Sequence, residues 1–318
     1  MAVLSCITPA YREAENLPVL YERLSAVLDG LGVEWEWIIV DDHSPDATFA
    51  VITGIAARDA RVRGVRFARN FGSHAAIMCG LNLCESDAVV VLAADLQDPP
   101  ETIPPLFEKW RQGAQVVWAV REHREGEKAA TVWSARVYYW LMRSLAGIKE
   151  MPSQGADFFL LDRAVIQALR RFPESNVSML ALLTWMGFRQ DSITYTKQAR
   201  LYGTSGWTLR KKLTLAIDSI TAFTVTPIRF MSYTGFLVAT AGFLYALFVI
   251  VNALTGKPAE GWTSLIVVTL VVGGIQMLML GVLGEYLWRT LDEARRRPRY
   301  LIESTTPLGT ARGESAPN

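Results

Sequence analysis

Short apolar runs alternate with amphipathic stretches through the first 125 residues. Val3–Thr8, Trp37–Val40, Val62–Phe67, Ala88–Ala93 and Val116–Val120 predict strands. Leu17–Leu31, Thr48–Arg58, Ala75–Leu83 and Ile103–Gln112 carry helical patterns between them. Strands that are apolar on both faces and separated by helices predict an α/β fold, a mostly parallel sheet with helices on both sides. In such sheets ligands bind at the carboxyl ends of the strands. The polar clusters fall there: Pro9–Asn16 after the first strand, Asp41–Asp46 after the second, Asp95–Glu101 after the fourth.

Beyond residue 125 the alternation loosens. Ala129–Leu145 predicts a helix bearing Trp133, Tyr138, Tyr139 and Trp140, Phe158–Leu161 a strand, Arg163–Arg171 a helix and Ser192–Thr196 a strand. Tyr202–Trp207 is a glycine-bearing loop. Leu213–Thr226 reads as an interfacial helix ahead of amphipathic packing on the soluble domain, its basic start at Arg210–Lys212 facing lipid head groups. Met231–Leu254 and Thr263–Gly284 then hold no charged residue. Each would be roughly 33–36 Å long as a helix, enough to cross a bilayer core. The expected organisation is a domain over 1–209, a juxtamembrane segment over 210–229, two membrane helices within 230–288 (about 231–254 and 263–287), and a basic segment with a disordered tail over 289–318.

Charge orients these helices. Arg210, Lys211, Lys212 and Arg229 precede them, and Arg289, Arg295, Arg296, Arg297 and Arg299 follow. The loop between carries only Lys257 and Glu260. The positive-inside rule then places the domain and both termini in the cytoplasm, with the protein integral to the cytoplasmic membrane. Gly273, Gly274, Gly281 and Gly284 would permit close helix packing, including between copies in a homo-oligomer. A formal net charge of +1 gives no pull toward nucleic acid. Met1–Pro9 lacks the basic start and long apolar run of a signal peptide, so none is expected. Cys6, Cys79 and Cys84 lack metal or redox spacing and read as reduced packing residues. His43, His74 and His123 are too scattered to suggest a zinc site.

The polar clusters carry the candidate chemistry. Asp41 and Asp42, adjacent at a strand end, repel each other and lose solvation. Turn formation, with Asp46 capping the next helix, accounts for part of that segment; the functional reading has one carboxylate accepting hydrogen bonds from a base or ribose. Asp95 and Gln97 would point the same way on an extended backbone, oxygen donors for a hard cation shared with a diphosphate. With Asp98 as cap and Pro99 or Pro100 in the first turn, the segment also reads as a helix start. No glycine-rich phosphate loop is present, so metal and arginines must handle any phosphates. Arg69, Arg121, Arg124, Arg163 and Arg200 are the candidates.

Pro9–Asn16, Asp41–Asp46 and Asp95–Glu101, in that order, resemble the family 2 glycosyltransferases of GT-A fold. With the two apolar segments, the chain is similar to the polyprenyl-phosphate glycosyltransferases related to dolichol-phosphate mannose synthase, of the bacterial two-span kind. Arg69-Asn70-Phe71-Gly72 and Gln154-Gly155-Ala156-Asp157-Phe158 match family segments as well. The resemblance covers about residues 2–300 and implies a GT-A, Rossmann-like sheet. It implies that Pro9, Tyr11 and Glu13 line a base pocket with Asp41 or Asp42 on the base or ribose. It implies that Asp95 and Gln97 hold Mg²⁺ or Mn²⁺ against the diphosphate, and that Asp157 lies near the reacting sugar carbon. Arg200 and Ser205 would belong to a loop over the donor and acceptor phosphate, with Arg121, Arg124 and Lys211 as further acceptor-phosphate ligands.

Two departures stand out. Ala93 occupies the first position of the family's frequent Asp-x-Asp pair, and Gly206-Trp207 stands where a lysine follows the loop serine. The implied reaction transfers a sugar from a nucleoside diphosphate, a UDP-hexose before a GDP-sugar, to polyprenyl phosphate with inversion. A phosphate monoester is mostly dianionic near pH 7, with a second pKa of about 6, so the acceptor needs little deprotonation. Asp157 could therefore orient the acceptor or stabilise positive charge on the sugar rather than act as base. Two rivals remain: a processive polysaccharide synthase, disfavoured by the missing Gln-x-x-Arg-Trp motif, and a non-catalytic membrane-bound nucleotide-sugar sensor or assembly partner.

Overall fold

The computed structural model of the protein describes residues 3–122, 158–172, 179–198, 226–255 and 261–307. The predicted helix over 129–145, the loop over 202–207 and the segment 213–225 lie outside the described residues. The chain divides into two units, one formed by residues 1–215 and 298–318 and the other by 216–297.

The first unit is built on β-branched and aromatic runs that cannot stay in water. β1 (Val3–Ala10), β2 (Glu34–Asp41), β3 (Val62–Phe67) and β4 (Ala88–Val91) are parallel neighbours in the order β4-β1-β2-β3. Their side chains are buried on both faces, the condition that makes a parallel strand read as a continuous apolar run. α1 (Asn16–Gly30), α2 (Thr48–Ala56), α3 (Ser73–Leu83) and α4 (Ile103–Arg111) supply the cover. Leu17, Leu20, Leu24 and Leu28 place one fully buried stripe of α1 on the core. Trp37, fully buried, donates Nε1–H to Thr8 Oγ1 at 2.8 Å and stacks on Tyr21.

β5 (Val116–Arg121), β6 (Phe159–Asp162) and β7 (Gln190–Tyr195) extend the sheet beyond β4. α5 (Arg163–Leu169) follows β6, and α6 (Met179–Trp185), which no pattern in the sequence predicts, precedes β7. β6 runs antiparallel to both β4 and β5, so β5 and β7 point the same way as β4. Next to β3 and antiparallel to it runs β8 (Ile302–Thr305), giving among the described residues the eight-stranded order β7-β5-β6-β4-β1-β2-β3-β8. Ser304 and Thr305, expected to open the disordered tail, lie in this strand: their polar side chains suit an exposed edge strand, which needs only backbone partners on one side, and residues 308–318 lie outside the described residues. Thr306 is buried beyond it and its Oγ1 accepts from Gly64 N at 2.9 Å.

All three cysteines are free and buried, and burial pushes the Cys6 and Cys79 thiols up to about 12. They are inert packing groups. α3 meets β1 so closely at Gly80 that an added Cβ would lie 2.5 Å from Ile7 Cγ2. Ile7 is fully buried and β-branched, so it has no free rotamer to adopt. Gly80→Ala is expected to cost about 1–3 kcal/mol, visible as a lowered urea midpoint with an unchanged slope.

Among the described residues, the second unit contains α7 (Thr226–Leu254) and α8 (Trp262–Ala294). Both contain stretches long and apolar enough to cross a membrane, Ile228–Asn252 and Leu265–Ala294. Phe236, Phe243, Leu254 and Leu278 are exposed, an apolar surface far beyond what a soluble monomer leaves open to water. The two helices approach at Gly235, where a Cβ would meet Met279 Cε at 3.3 Å. A Cβ at Gly273, Gly274, Gly281 or Gly284 would meet nothing within 4 Å, so those glycines do not make the close approach between the two helices.

Candidate active site

Register brings the polar loops to one edge of the sheet. Ala10 pairs with Asp41, Asp42 N donates to Ala10 O, and Leu92 N donates to Ile7 O, so the chain leaves β1, β2 and β4 at the same side. Pro9, Tyr11, Glu13, Asp41, Asp42, Asp95 and Gln97 are thereby gathered from segments far apart in sequence. Arg121 ends β5 on that edge as well, paired with Tyr195. Arg124, Asp157, Arg200, Ser205 and Lys211 lie outside the described residues. Arg163 is at the opposite edge, 3.5 Å from Asp87, because β6 runs antiparallel to β4 and delivers it to the amino end of that strand. It is therefore no phosphate ligand for this edge. Arg69 lies in the loop after β3, its guanidinium 4.0 Å above the Phe71 ring.

The loops are held under backbone strain. Arg12, His43 and Leu96 have φ of 61°, 58° and 58°, left-handed values costly for non-glycine residues. Each sits in a different one of the three loops, and hydrogen bonds between loops hold the conformation. Arg12 N donates to Ser44 Oγ at 3.0 Å, and Glu13 N to Thr48 Oγ1 at 3.0 Å. Asp46 Oδ1 accepts from Thr48 N and Oγ1 at the start of α2. The loop after β1 is thus fastened to the loop after β2.

The adjacent carboxylates differ in occupation. Asp42 accepts from Phe71 N at 2.6 Å and Gly72 N at 2.8 Å, one oxygen each, so it holds the Arg69–Gly72 loop. Burial pushes its carboxyl above the ordinary range, opposed by these two N–H groups. Asp41 is fully buried; Oδ1 accepts from Ser44 N at 3.0 Å, and among the described residues Oδ2 accepts no hydrogen bond, with Arg66 Nη1 3.4 Å away. A buried acceptor in that state costs about 1–3 kcal/mol, recoverable when an N–H reaches it.

The Asp95 loop does not stay extended. Asp95 Oδ1 accepts from Gln97 N at 3.2 Å, and Leu96 turns its side chain into the core with its left-handed backbone. The two side chains share a tight turn rather than one face of an extended segment. Asp98 is not a helix cap either. Pro99 precedes a 3₁₀ turn over Pro100–Thr102 that has no side-chain cap. The buried Asp98 carboxylate instead accepts from the Tyr195 hydroxyl and lies 3.4 Å from Lys197 Nζ. Gln198 N donates to Gln97 O at 2.8 Å, and Arg23 holds the Glu101 carboxyl below its ordinary value through side-chain hydrogen bonds. The exit of β7 is therefore clamped to the Asp95 loop. Tyr195, Lys197, Ser44 and Arg66 escape a sequence reading. The only signal is an arginine inside a strand expected to be buried, which requires a carboxylate partner.

Among the described residues no three His, Cys, Asp or Glu side chains are grouped to hold a metal. Asp95 with Gln97 nevertheless fits a hard cation that takes one or two protein oxygens and fills its shell from a diphosphate and water.

A mostly parallel sheet with helices over it and carboxylate loops at one edge is an α/β architecture of the GT-A kind. Residues 5–170 match the model of "Glycosyl transferase family 2", and the chain belongs to that family; it is a glycosyltransferase. It is 38% identical over 302 residues to an uncharacterized glycosyltransferase, YkcC, of Bacillus subtilis, covering 95% of this chain and 93% of that one. It is 36% identical over 302 residues to the bactoprenol glucosyl transferase of Shigella phage SfV, covering 95% of this chain and 98% of that one. The glucosyl-3-phosphoglycerate synthase of Mycobacterium tuberculosis, solved with Mn²⁺, UDP and phosphoglyceric acid, superposes with a TM-score of 0.51 at 16% identity. That superposition covers 69% of this chain and 76% of that one, and it is a likeness of fold.

Proposed function

We propose that this enzyme transfers a hexose from a UDP-sugar to a polyprenyl phosphate, undecaprenyl phosphate in a bacterium, at the cytoplasmic face of the membrane, with inversion. One observation carries the reading: an edge bearing a buried, unfilled carboxylate oxygen at Asp41 beside a cation-competent Asp95–Gln97 turn, in a chain similar over 95% of its length to a bactoprenol glucosyl transferase. The rejoining of residues 298–307 to the catalytic sheet supports the topology, since two crossings return the chain to the side it left. The basic flanks of the helices select the cytoplasmic side.

Asp41 is assigned to the nucleobase rather than Asp42, whose two oxygens are filled by Phe71 and Gly72. Pro9, Tyr11 and Glu13 complete the base pocket. Asp95 and Gln97 would hold Mg²⁺ or Mn²⁺, which when bound neutralises the leaving diphosphate. The acceptor is already dianionic near pH 7, so the protein's task is to orient it. Arg121, Arg124, Arg200, Ser205 and Lys211 are assigned to its phosphate, and Asp157 to orienting the sugar or acceptor. Membrane anchoring confines the search for a lipid acceptor to a plane.

Purified protein in detergent, given undecaprenyl phosphate, Mg²⁺ or Mn²⁺ and a panel of labelled UDP- and GDP-sugars, is expected to move label into the lipid phase from one donor, and EDTA to stop it. Nucleotide binding without transfer from any donor would favour a sensor and sink the enzyme reading of this acceptor. Asp41→Asn is expected to raise the donor KM about tenfold or more, the effect of removing a charged hydrogen-bond acceptor, with kcat little changed.

A further inference from the structure

We propose that Glu303, on the strand that follows the two apolar helices, is a positioning residue for donor binding: it holds Arg66 so that Asp41 is neutralised while its Oδ2 remains for a nucleobase N–H. The inference rests on the donor pocket proposed above.

The geometry is specific. Ser304 pairs with Arg66 and Ile302 with Phe67, so Glu303 is the extra residue of a β-bulge. Bulges re-aim side chains beside sites, and this one turns a carboxylate onto β3. Glu303 Oε2 accepts from Arg66 Nε at 2.9 Å. Arg66 Nη2 donates to Ser44 O at 3.2 Å, and Nη1 stands 3.4 Å from Asp41 Oδ2. One guanidinium thus joins the tail strand, the loop after β2 and the buried carboxylate. Ser44 passes the constraint on: its N–H donates to Asp41 Oδ1 and its hydroxyl accepts from Arg12 N. His43 Nδ1, 2.9 Å from Phe67 O and 3.5 Å from Glu303, flanks the same carboxylate.

An arginine beside a carboxylate prefers a bidentate fork, two parallel N–H···O bonds. At Asp41 that fork is not made: Oδ2 accepts no hydrogen bond among the described residues. Nε is already engaged by Glu303 and Nη2 by the Ser44 carbonyl, so the guanidinium cannot rotate onto Asp41. Without Glu303 it is free to close the fork, and an incoming base would have to break it.

The test uses the full chain in detergent, with UDP and GDP binding measured by calorimetry and transfer kinetics measured in parallel. Glu303→Ala is expected to weaken binding of the preferred nucleotide about tenfold and raise the donor KM alike, with kcat within about twofold. Glu303→Gln, which can still accept from Nε, is expected to recover much of the loss. In an Arg66→Gln background, Glu303→Ala is expected to add nothing. The fold should survive, because Ala68 N to Leu301 O, Thr306 N to Gly64 O and the stacking of Tyr300 on Phe67 hold the strand independently. A tight-binding wild type with an equally tight Glu303→Ala variant overturns the proposal. So does a fall in kcat at unchanged nucleotide affinity. A wild type that binds neither UDP nor GDP overturns the donor reading itself.

Discussion

Asp95→Ala is expected to lower transfer about 10³-fold or more while the protein stays folded. A metal contributes several kcal/mol of charge stabilisation to a departing diphosphate, and its loss is felt in kcat. The turn offers no substitute ligand. Ala93 replaces the family's earlier aspartate, and Asp98 is buried against Tyr195 and Lys197. Asp95→Asn separates the two roles of this side chain, since Asn still accepts from Gln97 N and keeps the turn. If charge on the cation is what matters, Asn and Ala are equally inactive; if only the turn matters, Asn is nearly wild type. Transfer assays with a titration of Mn²⁺ decide between these. An Asp95→Ala enzyme retaining a tenth of wild-type activity, still abolished by EDTA, would place the metal elsewhere.

The second large effect concerns the other end of the chain. Deleting residues 298–318 is expected to destabilise the catalytic unit by about 3–5 kcal/mol, a fall in Tm on the order of 10 °C. A disordered tail would be silent on deletion. Here Phe67, fully buried, loses the Tyr300 ring stacked 5.1 Å away, and Gly64 N loses Thr306 Oγ1. Arg299 also ceases to donate to Phe172 O, at 2.7 Å in the intact chain. The edge of β3 is left unpaired, an invitation to aggregation. Thermal melts in detergent with and without UDP check this, and a truncated protein melting with the intact chain would refute it.

Local pattern made much of the fold legible. The strands at Val3, Trp37, Val62, Ala88 and Val116 and the helices between them follow from apolar periodicity, because a strand buried on both faces has no freedom to be polar. The membrane-length helices follow from the absence of charge over Met231–Leu254 and Thr263–Gly284. α6 and β8 were not legible: α6 is a short, almost unbroken apolar run, Met-Leu-Ala-Leu-Leu-Thr-Trp, with no polar face to show a helical period, and β8 is an exposed polar edge whose partner lies more than two hundred residues away.

The same division applies to the site. Sequence alone determined that carboxylates crowd the ends of β1, β2 and β4, since acidic residues directly after buried strands are costly and stand out. Tertiary structure alone decided which of them is committed and which is open. Asp42 is engaged by a loop thirty residues on, Asp98 by β7, and Arg66, 3.4 Å from Asp41, is bonded through Nε to a glutamate from beyond the two apolar helices. Hydrogen bonds between distant segments leave no periodic trace in a chain; they exist only once packing has paid the entropy of bringing those segments together.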